Sequence, residues 1–374
     1  MVGHKHAFIF TLVMLIGLLS GYMVPGAASA QDSSVRFIPV TGELLLARLS
    51  PDGHTLAVFM NPNFFVDYEV VAVRLPIQLV NLDTGEVTWL TGFTDYAWDV
   101  AFSPDGTQLV SVHGNGQIII WDLTSGKPLK QFWETMGMHG IDMLPDGHTA
   151  IITLASTYAQ LLQLDLTTGY ITAVLMVHYD SLAEFRAQSS GGNIPEGAAN
   201  LAVAPDGKSL AVVSTYGRIW RWDLETGQPT VLVDTTNTLP MFNIVNVTFT
   251  ADGSTLIYLD RQAGVIHIVD AATGTEKDTI QANTPYEPAI SPDGSRIVWV
   301  DKDSGTLKQW RAGTVSDLTV GGTASLPAPD GLSTAPGLLT PLLFMTPDGS
   351  RLVFAGYFAQ DTGQNMVAVI DLPQ

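Results

Sequence analysis

The chain contains no cysteine. That excludes disulfides, thiolate metal sites, a cysteine nucleophile and a lipid-modified cysteine anchor. Charge is scarce too, at 14% of residues against about a quarter in an ordinary globular chain. Cations are the scarcest class, with 17 Lys+Arg against 36 Asp+Glu and a net charge of −19. Nucleic acids and anionic membranes need basic surface. Neither is therefore expected as a partner, and the mature domain is not expected to insert into a membrane. After the N-terminal segment no stretch shows a long 3.6-residue period, so almost no helix is predicted. Enzyme signatures are missing as well: Gly-x-Ser-x-Gly, His-Glu-x-x-His and Gly-x-x-x-x-Gly-Lys do not occur. What is plentiful is apolar residues, at 46%, together with 35 Gly and 21 Pro. Such a composition rules out disorder and points to many turns.

The first thirty residues read as an address. Lys5 lies in a polar start, Ala7–Val24 is almost wholly apolar, and Ala28-Ser29-Ala30 follows Pro25-Gly26. A positive start, an apolar core and a small-x-small site describe a secretory signal peptide. This favours residues 1–30 as a cleaved signal over an uncleaved anchor, and residues 31–374 as one domain. The expected location is extracytoplasmic, secreted or periplasmic, and membrane-tethered if the signal stays.

Internal repetition then decides the fold class. Ser50-Pro51-Asp52-Gly53 recurs at Ser103–Gly106 and Ser291–Gly294. Variants stand at Leu144–Gly147, Ala204–Gly207, Thr250–Gly253 and Thr346–Gly349, which makes seven copies 41 to 60 residues apart. Pro fixes φ at the second position, Asp bonds to local backbone, and Gly takes the positive φ that follows. A short apolar strand flanks each copy on both sides. A second signal trails each turn, as in Ile118–Asp122 with Ser125-Gly126 and Arg218–Asp223 with Thr226-Gly227. The sixth copy is eroded to Gln309-Trp310-Arg311 with Gly313. Each unit thus reads as four antiparallel strands, a to d, and seven such units predict an all-β, seven-bladed β-propeller. The last unit ends after its third strand. Val35–Val40 is therefore expected to supply its fourth, joining the two chain ends and hiding two sheet edges.

These residues resemble the WD-repeat family, over nearly all of the mature chain. They also resemble the looser bacterial exported propellers that share the Pro-Asp-Gly turn. Blade two, Gly92–Trp133, is most similar, with Ser103–Gly106 and Trp121-Asp122. The pattern departs from WD repeats at Phe93, where the family has His, and at Asn115 and Tyr216, where it has Asp. The buried His–Asp network of that family is therefore expected to be missing, which favours the bacterial exported branch.

Strand direction sorts the loops. The Pro-Asp-Gly and Asp-x-x-x-Gly turns fall on one face, and the b–c and d–a loops on the other. The three longest insertions, Met60–Pro76, Met176–Ala199 and Thr319–Pro341, all belong to the second face. Elaborated loops at one end of a rigid scaffold are where binding usually resides. Phe64, Phe65 and Tyr68, with His178, Tyr179, Asp180 and Arg186, are the candidate ligand-binding residues. A second set comes from register. Six residues before each turn aspartate stand Leu46, Asp99, Gly140, Asn200, Asn246, Glu287 and Leu342. Strand a lines the central channel, so Asp99, Asn200, Asn246 and Glu287 are candidates for its mouth. Their oxygens suit a hard cation such as Ca²⁺ or the polar end of a small ligand.

Among the histidines, His113, His139, His178 and His267 show no ligand spacing. Thr84-Gly85-x-x-x-Trp89 is similar to the docking motif of quinone-cofactor propellers. It occurs once, and its Thr-Gly belongs to the repeat turn. No catalytic residue and no cofactor is assigned. The expected function is that of an exported, non-catalytic scaffold, a monomer binding a protein, peptide or glycan through the loop-rich face. The alternative is a propeller hydrolase or lyase with a metal or small ligand at the channel mouth.

Overall fold

A computed structural model describes residues 35–41, 46–59, 76–93, 95–134, 137–154, 160–176, 198–214, 217–234, 244, 246–284, 286–320, 342–359 and 364–373. None of these residues is helical. Strand β1 is Val35–Val40. Blade one then follows as β2 (Leu46–Leu49), β3 (Thr55–Phe59), β4 (Ile77–Asn81) and β5 (Val87–Leu90). Blade two is β6 (Ala97–Phe102), β7 (Gln108–His113), β8 (Gln117–Asp122) and β9 (Lys127–Trp133). Blade three is β10 (Met138–Met143), β11 (Thr149–Leu154), β12 (Leu161–Asp165) and β13 (Tyr170–Leu175). Blade four is β14 (Ala198–Val203), β15 (Ser209–Ser214), β16 (Ile219–Asp223) and β17 (Pro229–Val233). Blade five is β18 (Val247–Phe249), β19 (Thr255–Asp260), β20 (Val265–Asp270) and β21 (Glu276–Gln281). Blade six is β22 (Ala289–Ile290), β23 (Arg296–Val300), β24 (Leu307–Arg311) and β25 (Thr314–Asp317). Blade seven is β26 (Leu342–Met345), β27 (Arg351–Ala359), β28 (Gln364–Asp371) and β1, in the order β1-β28-β27-β26.

The expected splice is present. β1 pairs antiparallel with β28, from Val35 opposite Ile370 to Val40 opposite Asn365. A clasp on Asp83 of blade one reinforces it. Arg351 Nη1 of blade seven lies 2.6 Å from Asp83 Oδ1, and Arg351 Nη2 donates to Gly53 O at 3.2 Å. Arg36 of β1 donates to the Asp83 carbonyl. Strands β1 and β27 of blade seven are thereby fastened to the first blade.

The core lies between blades. Seven apolar clusters fill seven seams, each drawing on two neighbouring blades. One of them joins blade seven to blade one, through Ile38, Val40, Val353 and Val369 against Leu56, Val58 and Val80. The alternation of β3, β7, β11 and their equivalents leaves both faces of each middle strand buried. This is why those strands are apolar at most positions on both faces. Each large side chain so buried contributes roughly 1.5–3 kcal/mol.

The repeated tetrapeptide works as a cross-braced turn. Ser103 Oγ donates to Asp105 Oδ1 at 2.6 Å and accepts from Gln108 N at 2.9 Å. The same double use recurs at Ser50, Thr250, Ser291 and Thr346. Leu144 and Ala204 cannot make it; in blade three the Thr149 hydroxyl bonds to Asp146 instead, at 2.7 Å. Accepting these donors holds the Asp252 and Asp348 carboxyls down at about 2, with the Thr250 and Thr346 hydroxyls the foremost causes. The two repeated turns of one blade are also tied together. Leu123 N bonds to Thr107 O, Leu166 N to His148 O and Leu224 N to Lys208 O. Both turns therefore lie on one face, and the b–c and d–a connections lie on the other. The eroded copy in blade six is a two-residue hairpin: Ala312 and Gly313 carry φ of 48° and 81°, the primed turn geometry that closes tight hairpins.

Candidate functional site

The channel-mouth candidates stand at the entry of the innermost strands. Asp99 and Asn200 lie on β6 and β14, while Asn246 and Glu287 just precede β18 and β22. Most of their polar atoms are engaged by protein. Asp99 is buried, and its Oδ2 takes a 3.0 Å ion pair from Arg48 of β2 and a 3.2 Å bond from Ile141 N of β10. Its Oδ1 accepts Val100 N at 2.8 Å. Burial pushes the Asp99 carboxyl up, against the pull of Arg48. Asp142 repeats the device one seam further on, accepting Val203 N of β14 at 2.8 Å and Met143 N at 2.8 Å. Burial brings Asp142 to about 6.

These carboxylates perform a structural task. The innermost strand of a blade is a sheet edge with bare N–H groups. Asp99 and Asp142 satisfy one such group each on the neighbouring blade, in the low dielectric of the ring's inner wall. Arg48 and Asp142 were legible in the sequence, four residues before their turn aspartates and on the same side of the strand as the position six before.

Asn200 Nδ2 donates to Asn246 Oδ1 at 3.3 Å, and Asn200 Oδ1 accepts Leu201 N at 2.8 Å. Glu287 is the exception. Its Oε1 is buried with no hydrogen-bond partner, and burial brings the carboxyl up to about 7. Among the described residues no group of three His, Asp or Glu side chains is placed to hold a metal ion. Of the four mouth residues, Glu287 alone has a side-chain oxygen both buried and unengaged.

The other candidates, Phe64, Phe65, Tyr68, His178, Tyr179, Asp180 and Arg186, lie outside the described residues. The same face carries a second feature that the sequence reading missed. The innermost strands of blades two, three and four each break register near their start, between Ala97 and Asp99, Met138 and Gly140, and Ala198 and Asn200. A bulge lifts one side chain out of the ladder and re-aims it. Here the lifted residues are Trp98 and His139, whose rings lie 4.9 Å apart at 37°. Tyr96 meets Trp98 edge-on at 5.1 Å. Trp98 is half-buried against the core between blades two and three, and His139 is exposed. The available signal was an aromatic residue and a histidine, each seven positions before its turn aspartate.

His113, which shows no ligand spacing, has a structural role. Its Nδ1–H donates to the Asp95 carbonyl at 3.1 Å, so Nε2 is left to accept from Ser111 Oγ at 2.8 Å. Ser111 Oγ in turn accepts Trp121 Nε1 at 2.9 Å. Burial drops the His113 imidazole to about 4, keeping it neutral as this chain of donors requires. Phe93 packs on it at 4.8 Å. Blade two nonetheless carries a histidine relay that ends on the Asp95 backbone carbonyl and not on an aspartate side chain. A Trp–Ser–His relay is rebuilt with a histidine from strand b, because residues 111 and 113 share one side of β7. In blade four Val212 occupies the position of Ser111, and Trp222 Nε1 is buried without a partner.

With this geometry in hand, the chain can be compared with known proteins. No family model matches it, and no curated protein matches it. Solved structures do. The β-propeller domain of Cps50 (Swd1) from Myceliophteria thermophila aligns with a TM-score of 0.64 at 16% identity, over 90% of this chain and 98% of that one. A chain of the mitotic checkpoint complex aligns with a TM-score of 0.64 at 18% identity, over 96% and 100%. At these identities the likeness is one of fold, that of a β-propeller.

Proposed function

We propose that this protein is an exported, non-catalytic propeller of the bacterial Pro-Asp-Gly-turn kind, acting as a scaffold that binds a protein, peptide or glycan through its loop-rich face. The observation that carries the reading is the tilted ring cluster of Tyr96, Trp98 and His139, raised by two adjacent bulges on the face that bears all three long insertions. Rings presented at an angle and partly bare offer both stacking surface and a hydrogen-bonding nitrogen, the usual content of a recognition patch. The rigid wall beneath, with its paired Asp99 and Asp142, keeps that patch from shifting. The signal-like segment Met1–Ala30 supports export.

Peptide and glycan arrays test the proposal. Ligands bound by the wild type should be lost, or weakened about tenfold or more, by Trp98→Ala with His139→Ala. Deleting Phe64–Glu69 with Tyr179–Arg186 should act in the same direction. Binding that ignores all of these changes but disappears on altering the opposite face, for example at Lys208 and Glu225 in the turns of blade four, would place recognition elsewhere.

A further inference from the structure

The rings above the channel mouth are accompanied by polar atoms that the fold itself leaves unused. Gly114 opens the b–c turn of blade two, and its N–H donates to the Tyr96 carbonyl at 3.3 Å. That bond draws the turn against the entry of β6. Gly114 has no side chain, and three neighbouring groups close over it. A Cβ built there would lie 2.9 Å from Asp95 Oδ2, 3.0 Å from Trp98 Nε1 and 3.1 Å from Tyr96 Cζ. An acceptor, a donor and the phenol end of a tyrosine therefore converge on one point.

Asp95 is held in place yet only partly engaged. Its Oδ1 accepts Tyr96 N at 2.9 Å, and its carbonyl accepts His113 Nδ1 at 3.1 Å. Among the described residues nothing donates to Asp95 Oδ2, and Trp98 Nε1 donates to nothing. Neither atom is sealed from solvent. Beside them the exposed His139 ring lies tilted on Trp98 and adds a bare ring surface.

We infer that this corner binds a neutral saccharide, one of whose hydroxyls bridges Trp98 Nε1 and Asp95 Oδ2 while an apolar sugar face lies against the His139 and Trp98 rings. The inference rests on the loop-face reading and names its ligand class. Hydrogen-bond chemistry selects the occupant. A hydroxyl donates and accepts through one oxygen, so a single atom serves both protein groups. Ammonium and guanidinium groups only donate, and would leave the indole N–H unmet. A carboxylate only accepts, and would meet Asp95 as a like charge. An extended peptide takes its affinity from a free strand edge. At this mouth the Ile141 N–H of the β10 edge is already taken by Asp99. A sugar ring instead carries hydroxyls around its rim and C–H groups on its faces, which suits a donor–acceptor pair set beside aromatic rings. Neutrality follows from the net charge of −19, which repels acidic glycans.

Affinity electrophoresis of the purified full chain through gels containing dextran, mannan, galactan, xylan or β-glucan, run beside a peptide array, tests the inference. At least one of these polysaccharides should retard the wild type. Two near-isosteric variants read the bridge: Trp98→Phe removes the N–H and keeps a ring, and Asp95→Asn presents an amide nitrogen in place of Oδ2. Each should weaken retention about tenfold or more while thermal unfolding stays cooperative. Lys208→Ala, on the opposite face, should leave retention unchanged. Retention that ignores both Trp98→Phe and Asp95→Asn overturns the inference, and so does a wild type that no polysaccharide retards. In that second case, array peptides lost on Trp98→Ala with His139→Ala would leave the loop-face reading standing with a peptide as its ligand. Array binding that ignores those changes, or no binding at all, would remove both.

Discussion

Glu287 shows what one residue contributes when its environment disagrees with its charge. Its Oε1 is buried without a partner, and its carboxyl titrates at about 7, above an ordinary 4.5, because burial disfavours the anion. The folded protein therefore prefers the neutral acid. Stability linked to this group is complete below about pH 4.5, declines as pH rises towards 7, and stays low beyond. Glu287→Gln keeps the neutral shape and removes the titration. The variant should melt with the wild type near pH 4.5 and above it at pH 8, by up to about 3 kcal/mol. Equal melting at pH 8 would show that the carboxyl finds a partner the structure lacks. The position of Glu287 was readable by counting back from Asp293. Its missing partner was not, because hydrogen bonding across a seam depends on what the next blade presents. The same holds for Asp99: its place at the mouth followed from register, whereas its pairing with Arg48 did not.

At the scale of one element, the Pro-Asp-Gly turn does more than reverse the chain. Neighbouring turns nest: a Cβ added at Gly53 would lie 2.6 Å from Pro347 Cδ, and one at Gly207 would lie 3.0 Å from Pro145 Cδ. Glycine is needed twice over at Gly53, for its φ of +74° and for the proline of the adjacent blade. Gly349 has a φ of +69°, but a Cβ added there would meet nothing within 4 Å among the described residues. Gly349→Ala should therefore cost only the backbone strain, about 1 kcal/mol, and Gly53→Ala should cost roughly 2–3 kcal/mol. Thermal or urea melts of the pair measure the difference, and equal losses would remove the seam contact from the account. The tetrapeptide announced the turn in the sequence because proline, aspartate and glycine each act locally. The nesting was hidden because it joins turns of different blades, 62 positions apart for Pro145 and Gly207 and 294 for Gly53 and Pro347. The bulges that raise Trp98 and His139 were hidden for a related reason: a bulge is a property of two paired strands, and one strand's sequence does not declare it.

For the whole molecule, closure is the governing event. Every seam between blades is filled by an apolar cluster, and the seam between blade seven and blade one depends on Ile38 and Val40 of β1. Removing residues 35–40 would uncover β28, empty part of that cluster and release the Arg36 bond to blade one. The shortened chain is expected to lose cooperative melting and to associate through the bared edge, seen as a broadened thermal transition and a rise in sedimenting mass. A sharp transition at the wild-type temperature would mean that six blades and three strands suffice.

The sequence by itself determined the blade count, the strand order, the turn chemistry, the closing strand and the face on which the long loops emerge. Each of these follows from residues that act within a few positions of themselves and are written seven times. Only the tertiary structure decided which polar groups at the mouth are already paired, which rings stand together above it, and that His113 completes a relay that Phe93 could not. These are relations between blades or between strands, fixed when separate repeats are brought side by side, and no single repeat carries the information.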